Sequence, residues 1–166
     1  PANASLFTYD AVAMYPSIDT KDCLARLSGY LSQEEISGKY GFSSSALLKA
    51  IELVMLNNRM RFGDIIVKQI SGIAMGMSPA PTIANLYVAI YEDLHVLKFL
   101  PLPILYLRRF IDDGLGIWLH DPDPMIDERN WMEFQDCLNA SRLSWLFSLW
   151  SFEVVFMDLR LTIEGG

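Results

Sequence analysis

The sequence predicts an α+β fold, an antiparallel sheet of three to four strands with helices packed on one face. Three observations predict it. Strand-like and helix-like segments alternate along 166 residues, two hairpin signals interrupt that alternation, and hydrophobic residues make up 52% of the chain. Hairpins join antiparallel strands, so their presence argues against a doubly wound parallel sheet, whose strands need crossovers. A chain of this length buries a core without staples, as a single domain.

The elements follow in order. Residues 5–12 read as a buried strand carrying Asp10 near its end, followed by a turn at Tyr15-Pro16. Asp19 or Thr20 caps a helix with Cys23, Leu24, Leu27 and Leu31 inward. Gly38 to Gly41 is a loop. Ser43, Ser44 or Ser45 caps a second helix, where Leu47, Leu48, Ile51, Val54 and Met55 recur at helical spacing. Met60 to Ile70 forms a hairpin about Gly63-Asp64.

A glycine-punctuated loop, Gly72 to Gly76, leads past Pro79 and Pro81 into a long helix from about Thr82 to Lys98, ended by Pro101 and Pro103. Ile104 to Ile111 and Leu115 to Leu119 form a second hairpin around Asp112-Asp113-Gly114. His120 to Asp127 is a polar loop and Glu128 to Leu138 a helix. Strand-like residues 152–156 and 159–163 close the chain.

Composition excludes several classes. With 20% charged residues and a mean hydropathy of +0.24, the chain is not intrinsically disordered. The longest apolar stretch, Leu143 to Met157, is broken by Ser144, Ser148, Ser151 and Glu153, so it is no membrane span. Apolar patches around Leu143 to Trp150 are expected to drive self-association. Cys23 and Cys137 stand far apart with no Cys-x-x-Cys or Cys/His pairing, against a disulfide framework or zinc site and for a reducing, intracellular setting. A net charge of −7 and a pI near 4.7 argue against a free-standing basic nucleic-acid binder. The chain has no initiator Met or leader and reads as a domain cut from something longer.

Phe110-Ile111-Asp112-Asp113-Gly114 is the sharpest motif. Alone, Asp-Gly is a favoured hairpin turn that requires no chemistry. Asp10 alone reads most simply as a turn-former ahead of Tyr15-Pro16, although a carboxylate at the end of a buried strand must cap, pair or hold a metal. The combination is more pointed: a strand-terminal Asp, a glycine loop opening a helix, and a double Asp on a hairpin. Two-metal phosphoryl transfer needs such a kit, with carboxylates from different strands converging on two divalent ions. Glycine lets backbone approach a nucleotide closely.

Four segments carry a resemblance in order and spacing. They are residues 7–18 (Phe7-Thr8-Tyr9-Asp10-Ala11-Val12 through Ser17-Ile18), Gly72-Ile73-Ala74-Met75-Gly76 with Pro81 and Ala84-Asn85, Phe110-Ile111-Asp112-Asp113, and Phe156-Met157-Asp158-Leu159. Together they resemble the palm of a reverse transcriptase across nearly the whole chain. Asn58-Arg59-Met60-Arg61-Phe62-Gly63 ahead of Gln69, and the Phe-Met-Asp-Leu ending, are most similar to Penelope-like retroelements, relatives of telomerase.

The resemblance implies an RNA-directed DNA polymerase. Asp10, Asp112 and Asp113, with the backbone carbonyl of Ala11, would hold two Mg²⁺ or Mn²⁺ ions. Tyr15 matches the steric gate against a 2′-hydroxyl, where simple aromatic packing before a proline is the alternative. Met75 and Gly76 match the loop over the incoming nucleotide, although many relatives carry Gln at the Met75 position. Arg108 and Arg109 would touch phosphate or screen the acids, and Met157 falls in the primer-side motif. The implied partners are an RNA template, a DNA primer and a dNTP, in a nuclear setting.

Fingers-side motifs before Asp10 and a thumb after Gly166 are expected to lie in the parent chain. No lysine follows Lys98, leaving Arg129, Arg142 and Arg160 as the later basic candidates for the leaving group. A palm without its basic neighbours is acidic, which fits the charge. It should bind primer–template poorly and be inactive alone. A telomerase-type catalytic subunit and a non-catalytic palm-like scaffold remain the alternatives; all three acid positions are filled, which favours an enzyme.

Overall fold

The structure, a computed structural model, describes residues 3–33, 41, 43–100 and 102–163. The expected loop at Gly38 to Gly41, Gly41 apart, and the helix stop at Pro101 lie outside the described residues. In chain order the elements are β1 (Ala4–Ala11), α1 (Met14–Ser17), α2 (Thr20–Leu31), α3 (Ser44–Leu56), β2 (Arg59–Phe62), β3 (Ile65–Lys68), α4 (Ala80–Tyr91), β4 (Ile104–Phe110), β5 (Asp113–Leu119), α5 (Pro124–Asn139), β6 (Trp145–Phe147), β7 (Glu153–Phe156) and β8 (Leu159–Thr162). A π-helical turn, Glu92–Val96, and a 3-10 turn, Leu97–Phe99, follow α4. The class is α+β, as expected. The chain divides into two compact units, Pro1–Val12 with Tyr91–Gly166, and Ala13–Ile90.

The first unit is built on a four-stranded sheet in the order β4-β5-β1-β6, every neighbouring pair antiparallel. Strand alternation sends Phe7 and Tyr9 to one face and Thr8 and Asp10 to the other. On the Phe7 face α5 packs through aromatic rings: Trp131 lies 4.9 Å from both Phe7 and Trp118, and Phe134 lies 5.7 Å from Phe7. Two glycines of β5 make room for this layer. A Cβ on Gly116 would stand 2.1 Å from the Phe7 ring, and one on Gly114 the same distance from the Tyr9 ring.

Asp123 caps α5 by accepting from the Met125 N–H, with Pro124 in the first turn. The helix therefore begins four residues before the expected Glu128, because proline at a helix start sacrifices no bonded N–H. Behind it, the buried Asp127 carboxylate accepts from the Trp118 indole at 2.8 Å and the Asp121 N–H at 3.1 Å, and pairs with His120 at 2.8 Å. The other His120 nitrogen meets the Ser5 hydroxyl at 2.8 Å. Ser5 is itself buried on the central strand, so this chain of bonds ties β1, β5 and α5 together.

Strand β6 was not foreseen. Within the stretch expected to form an apolar association patch, Leu143 and Trp145 are buried, while Leu146 and Leu149 stay exposed. The last hairpin, β7-β8, turns at Met157-Asp158 with φ of 48° and 64°. Two positive φ values in a two-residue loop are the type I′ pattern.

In the second unit Asp19 caps α2 by accepting from the Asp22 N–H at 2.8 Å. Cys23, Leu27 and Leu31 are buried, as expected, whereas Leu24 is half-buried. Asp22 accepts from the Tyr87 hydroxyl of α4 at 2.7 Å, and the Arg26 guanidinium lies 4.2 Å over the Tyr87 ring. Ser43 caps α3, but of its expected inner face only Met55 is buried. The β2-β3 hairpin turns at Gly63-Asp64, with all eight strand residues exposed. The long helix expected from Thr82 starts at Ala80 and keeps α-winding only to Tyr91.

Candidate metal centre and nucleotide-side loop

Asp10 and Asp113 sit directly opposite one another on β1 and β5. The Ala11 N–H donates to the Asp112 carbonyl at 3.1 Å. That bond pattern makes Asp10–Asp113 a non-hydrogen-bonded pair, the closer kind, with Cα atoms about 4.5 Å apart. Two like charges on one face at that spacing repel. The Asp10 carboxyl records it: burial, then Asp113, then Asp112 push it above its ordinary 3.8, against a hydrogen bond from the Ala11 N–H.

The turn of this hairpin differs from the expected Asp112-Asp113-Gly114. β4 ends at Phe110 and β5 begins at Asp113, so the two loop residues are Ile111 and Asp112. The physical reason lies across the sheet: Gly114 is the residue beneath the Tyr9 ring, which fixes it in the strand. Ile111 takes φ 56°, an outlier for a β-branched side chain. Asp112 therefore belongs to the turn and to neither strand, instead of sharing a strand face with Phe110 and Arg108 as expected. It is half-buried, while Asp10 and Asp113 are exposed.

Among the described residues, no three His, Cys, Asp or Glu side chains converge closely enough to hold a metal ion as they stand. What the backbone unites is a facing pair and a third carboxylate in the adjoining turn. All donors are hard oxygens, the kind magnesium and manganese take. The set fits a divalent cation by donor chemistry and strand register, and not as a closed three-ligand cage.

Asp10 and Asp113 line a cavity of about 280 Å³ together with Leu146, Phe156 and Met157. The structure thus brings Phe156 and Met157, singled out from sequence, to the acidic pair. The two arginines before the double Asp part ways. Arg108 is exposed, 5.1 Å over the Tyr106 ring. Arg109 turns inward, its side chain 7% exposed, and bonds Glu92 through two nitrogens at 2.8 and 2.9 Å.

Tyr15, Met75 and Gly76 belong to the second unit. The Tyr15 carbonyl accepts from the Ile73 N–H at 2.8 Å, and the Thr20 hydroxyl donates to the Gly72 carbonyl at 3.4 Å. These bonds hold the loop against the segment carrying Tyr15. Gly72 sits at φ 82°, where an added Cβ would lie 2.9 Å from Pro16 Cα, so a side chain there forces a shift. Met75 is 77% exposed, and Gly76 has φ 95°.

Sequence reasoning passed over Glu92, for which no local signal existed, since its partner is 17 residues on. It also passed over Gly114 and Gly116. Their period-two spacing within a strand, opposite the period-two aromatics Phe7 and Tyr9, was a readable signal of rings crossing a sheet.

The fold is that of two solved structures of apo telomerase from Candida tropicalis. One, truncated from its C-terminal domain, matches with TM-score 0.64 and 12% identity over 96% of this chain and 34% of that one. The other matches with TM-score 0.67 and 10% identity over 96% of this chain and 31% of that one. The chain thus spans about a third of the length of these telomerases. No family model and no curated protein sequence matches it. Among the described residues no helix is long and apolar enough to cross a membrane.

Proposed function

We propose that the chain is the palm of an RNA-directed DNA polymerase, a reverse transcriptase of the Penelope-like and telomerase branch. The observation that carries this reading is the facing Asp10–Asp113 pair with Asp112 in the adjoining strained turn. A stable fold gains nothing from like charges set face to face, whereas a cation site requires them. The telomerase likeness of the fold supports the same reading.

Asp10, Asp112 and Asp113, with the Ala11 carbonyl, would hold two Mg²⁺ or Mn²⁺ ions. Such ions, when bound, supply Lewis acidity toward the attacking primer 3′-hydroxyl and the departing pyrophosphate. The chain's residues do the rest. Tyr15 excludes a 2′-hydroxyl, Met75 and Gly76 present an open backbone to the incoming dNTP, and Met157 faces the primer. Arg108, exposed, is the arginine left to meet phosphate. RNA template, DNA primer and fingers and thumb of the parent chain complete the assembly, in the nucleus. Leu146 and Leu149 are the apolar residues left for self-association, which a strictly monomeric light-scattering profile at high concentration would contradict.

Primer extension on an RNA template tests the reading. Asp112→Asn in the full parent protein is expected to abolish incorporation, and wild-type activity in that variant refutes the assignment. The 166-residue chain alone is expected to extend no primer. One observation favours a second reading, a telomerase-type catalytic subunit: the two structures of like fold named above are telomerases. A stably co-purifying RNA that serves as the template separates that reading from a retroelement polymerase.

A further inference from the structure

We infer that Arg109 is a positioning residue, which together with Glu92 clamps the turn that presents Asp112 and Asp113 to Asp10. The inference rests on the reading of those three acids as a cation-holding set. Arg109 leaves β4 two residues before the turn and points inward. Its Nε and Nη2 bond the two carboxylate oxygens of Glu92 at 2.8 and 2.9 Å, and its Nη1 donates to the carbonyl of Ile111. One planar guanidinium therefore spans a fixed carboxylate and the backbone of the residue held at φ 56°.

Each partner is placed by something rigid. Glu92 opens the π-helical turn, a winding that commonly marks functional sites because it redirects side chains. Arg109 lies opposite Gly114, which lies opposite Tyr9, so the three form one row across the sheet. A strained loop persists only where its surroundings over-determine it. Here the surroundings are a bidentate ion pair bonded to the turn's own carbonyl and, in the strand that follows, an aromatic ring packed on Gly114.

Lysine cannot replace the clamp, because an ammonium is a point charge without the fork that meets two carboxylate oxygens and a carbonyl in one plane. Simple screening of the acids and positioning of the turn make opposite predictions. If Arg109 only screens, neutralising it removes a positive charge and tightens cation binding. If it positions, even charge-neutral changes weaken binding.

The test is Mn²⁺ titration of the chain followed by electron paramagnetic resonance, with thermal unfolding run alongside. Arg109→Lys keeps the charge, and the double variant E92Q/R109M leaves net charge unchanged. Both are expected to bind Mn²⁺ at least ten-fold more weakly; Arg109→Lys carries the test if the double variant does not fold. Wild-type or tighter binding in the folded variants, with binding lost in Asp10→Asn, overturns the clamp and leaves the cation site standing. Unchanged binding in Asp10→Asn overturns the site and the clamp together.

Discussion

The ring of Tyr9 crosses the strand beside it at Gly114: a Cβ at that position would stand 2.1 Å from Tyr9 Cζ. Neither partner has room to yield. Trp145 lies 5.4 Å from the Tyr9 ring and Phe147 stacks on it at 6.0 Å. Gly114→Ala is expected to cost about 1–3 kcal/mol through overpacking. In urea unfolding, the double variant Y9A/G114A should lose less than the sum of its parts, because the truncated ring no longer collides. Strict additivity would show that the crowding is relieved elsewhere.

Asp10 has a carboxyl held above 3.8 in the folded chain. A raised carboxyl contributes stability below its unfolded value, and that contribution is lost as pH rises through the folded value. Asp10→Asn is therefore expected to be more stable than wild type at neutral pH, by about 0.2–1 kcal/mol for a like-charged cross-strand pair. Solvent screening favours the low end. The advantage should shrink as pH falls toward 4. Thermal melts in chelator across that range read it directly, and a destabilised Asn variant at pH 7 contradicts the repulsion.

Asp127 behaves with the opposite sign. Burial alone would raise it, but hydrogen bonds from His120, Trp118 and the Asp121 N–H hold its carboxyl below 3.8. Its contribution is present above the unfolded value and disappears as pH falls through the folded value. Asp127→Ala should cost about 1–3 kcal/mol, since the buried Trp118 indole loses its acceptor. Acid titration followed by tryptophan fluorescence should show wild type losing its advantage over the variant only below pH 4. An advantage that persists unchanged to pH 2 would rule this account out.

Gly72→Ala places a side chain at φ 82° against Pro16, and the strain is expected to cost about 1–3 kcal/mol. Gly76→Ala meets only the backbone penalty, since no atom lies within 4 Å of the added carbon. Equilibrium unfolding should rank Gly72→Ala below Gly76→Ala, and the reverse order would show that Pro16 gives way.

Much of this architecture was legible in the residues. Both hairpins, on Gly63-Asp64 and beside the double Asp, were readable because turn chemistry is local; that Asp10 faces Asp113 is a matter of strand register, which the residues alone do not state. What escaped was non-local. The two-residue turn fell at Ile111-Asp112 because Tyr9, far away in sequence, claims Gly114 for the strand. The three-residue β6 was too short for any periodicity. The α-winding gives way after Tyr91 to a π-helical turn whose Glu92 bonds Arg109, a long-range pairing no helical pattern records. Leu47 and Val54 of α3 matched a buried stripe in spacing yet lie exposed, since period states which residues share a face and not what covers it.

Strand β1 precedes the other strands of its sheet in sequence but lies inside it, between β5 and β6. Its hydrogen-bonded partners Thr8 and Ser148 are 140 residues apart. During synthesis β1 leaves the ribosome well before β5 and β6, and the whole of Ala13–Ile90 emerges in between. Loop closure over such separations is slow. The acidic pair cannot exist until β5 has been made, and a nascent chain arrested before β5 carries Asp10 with no partner to face.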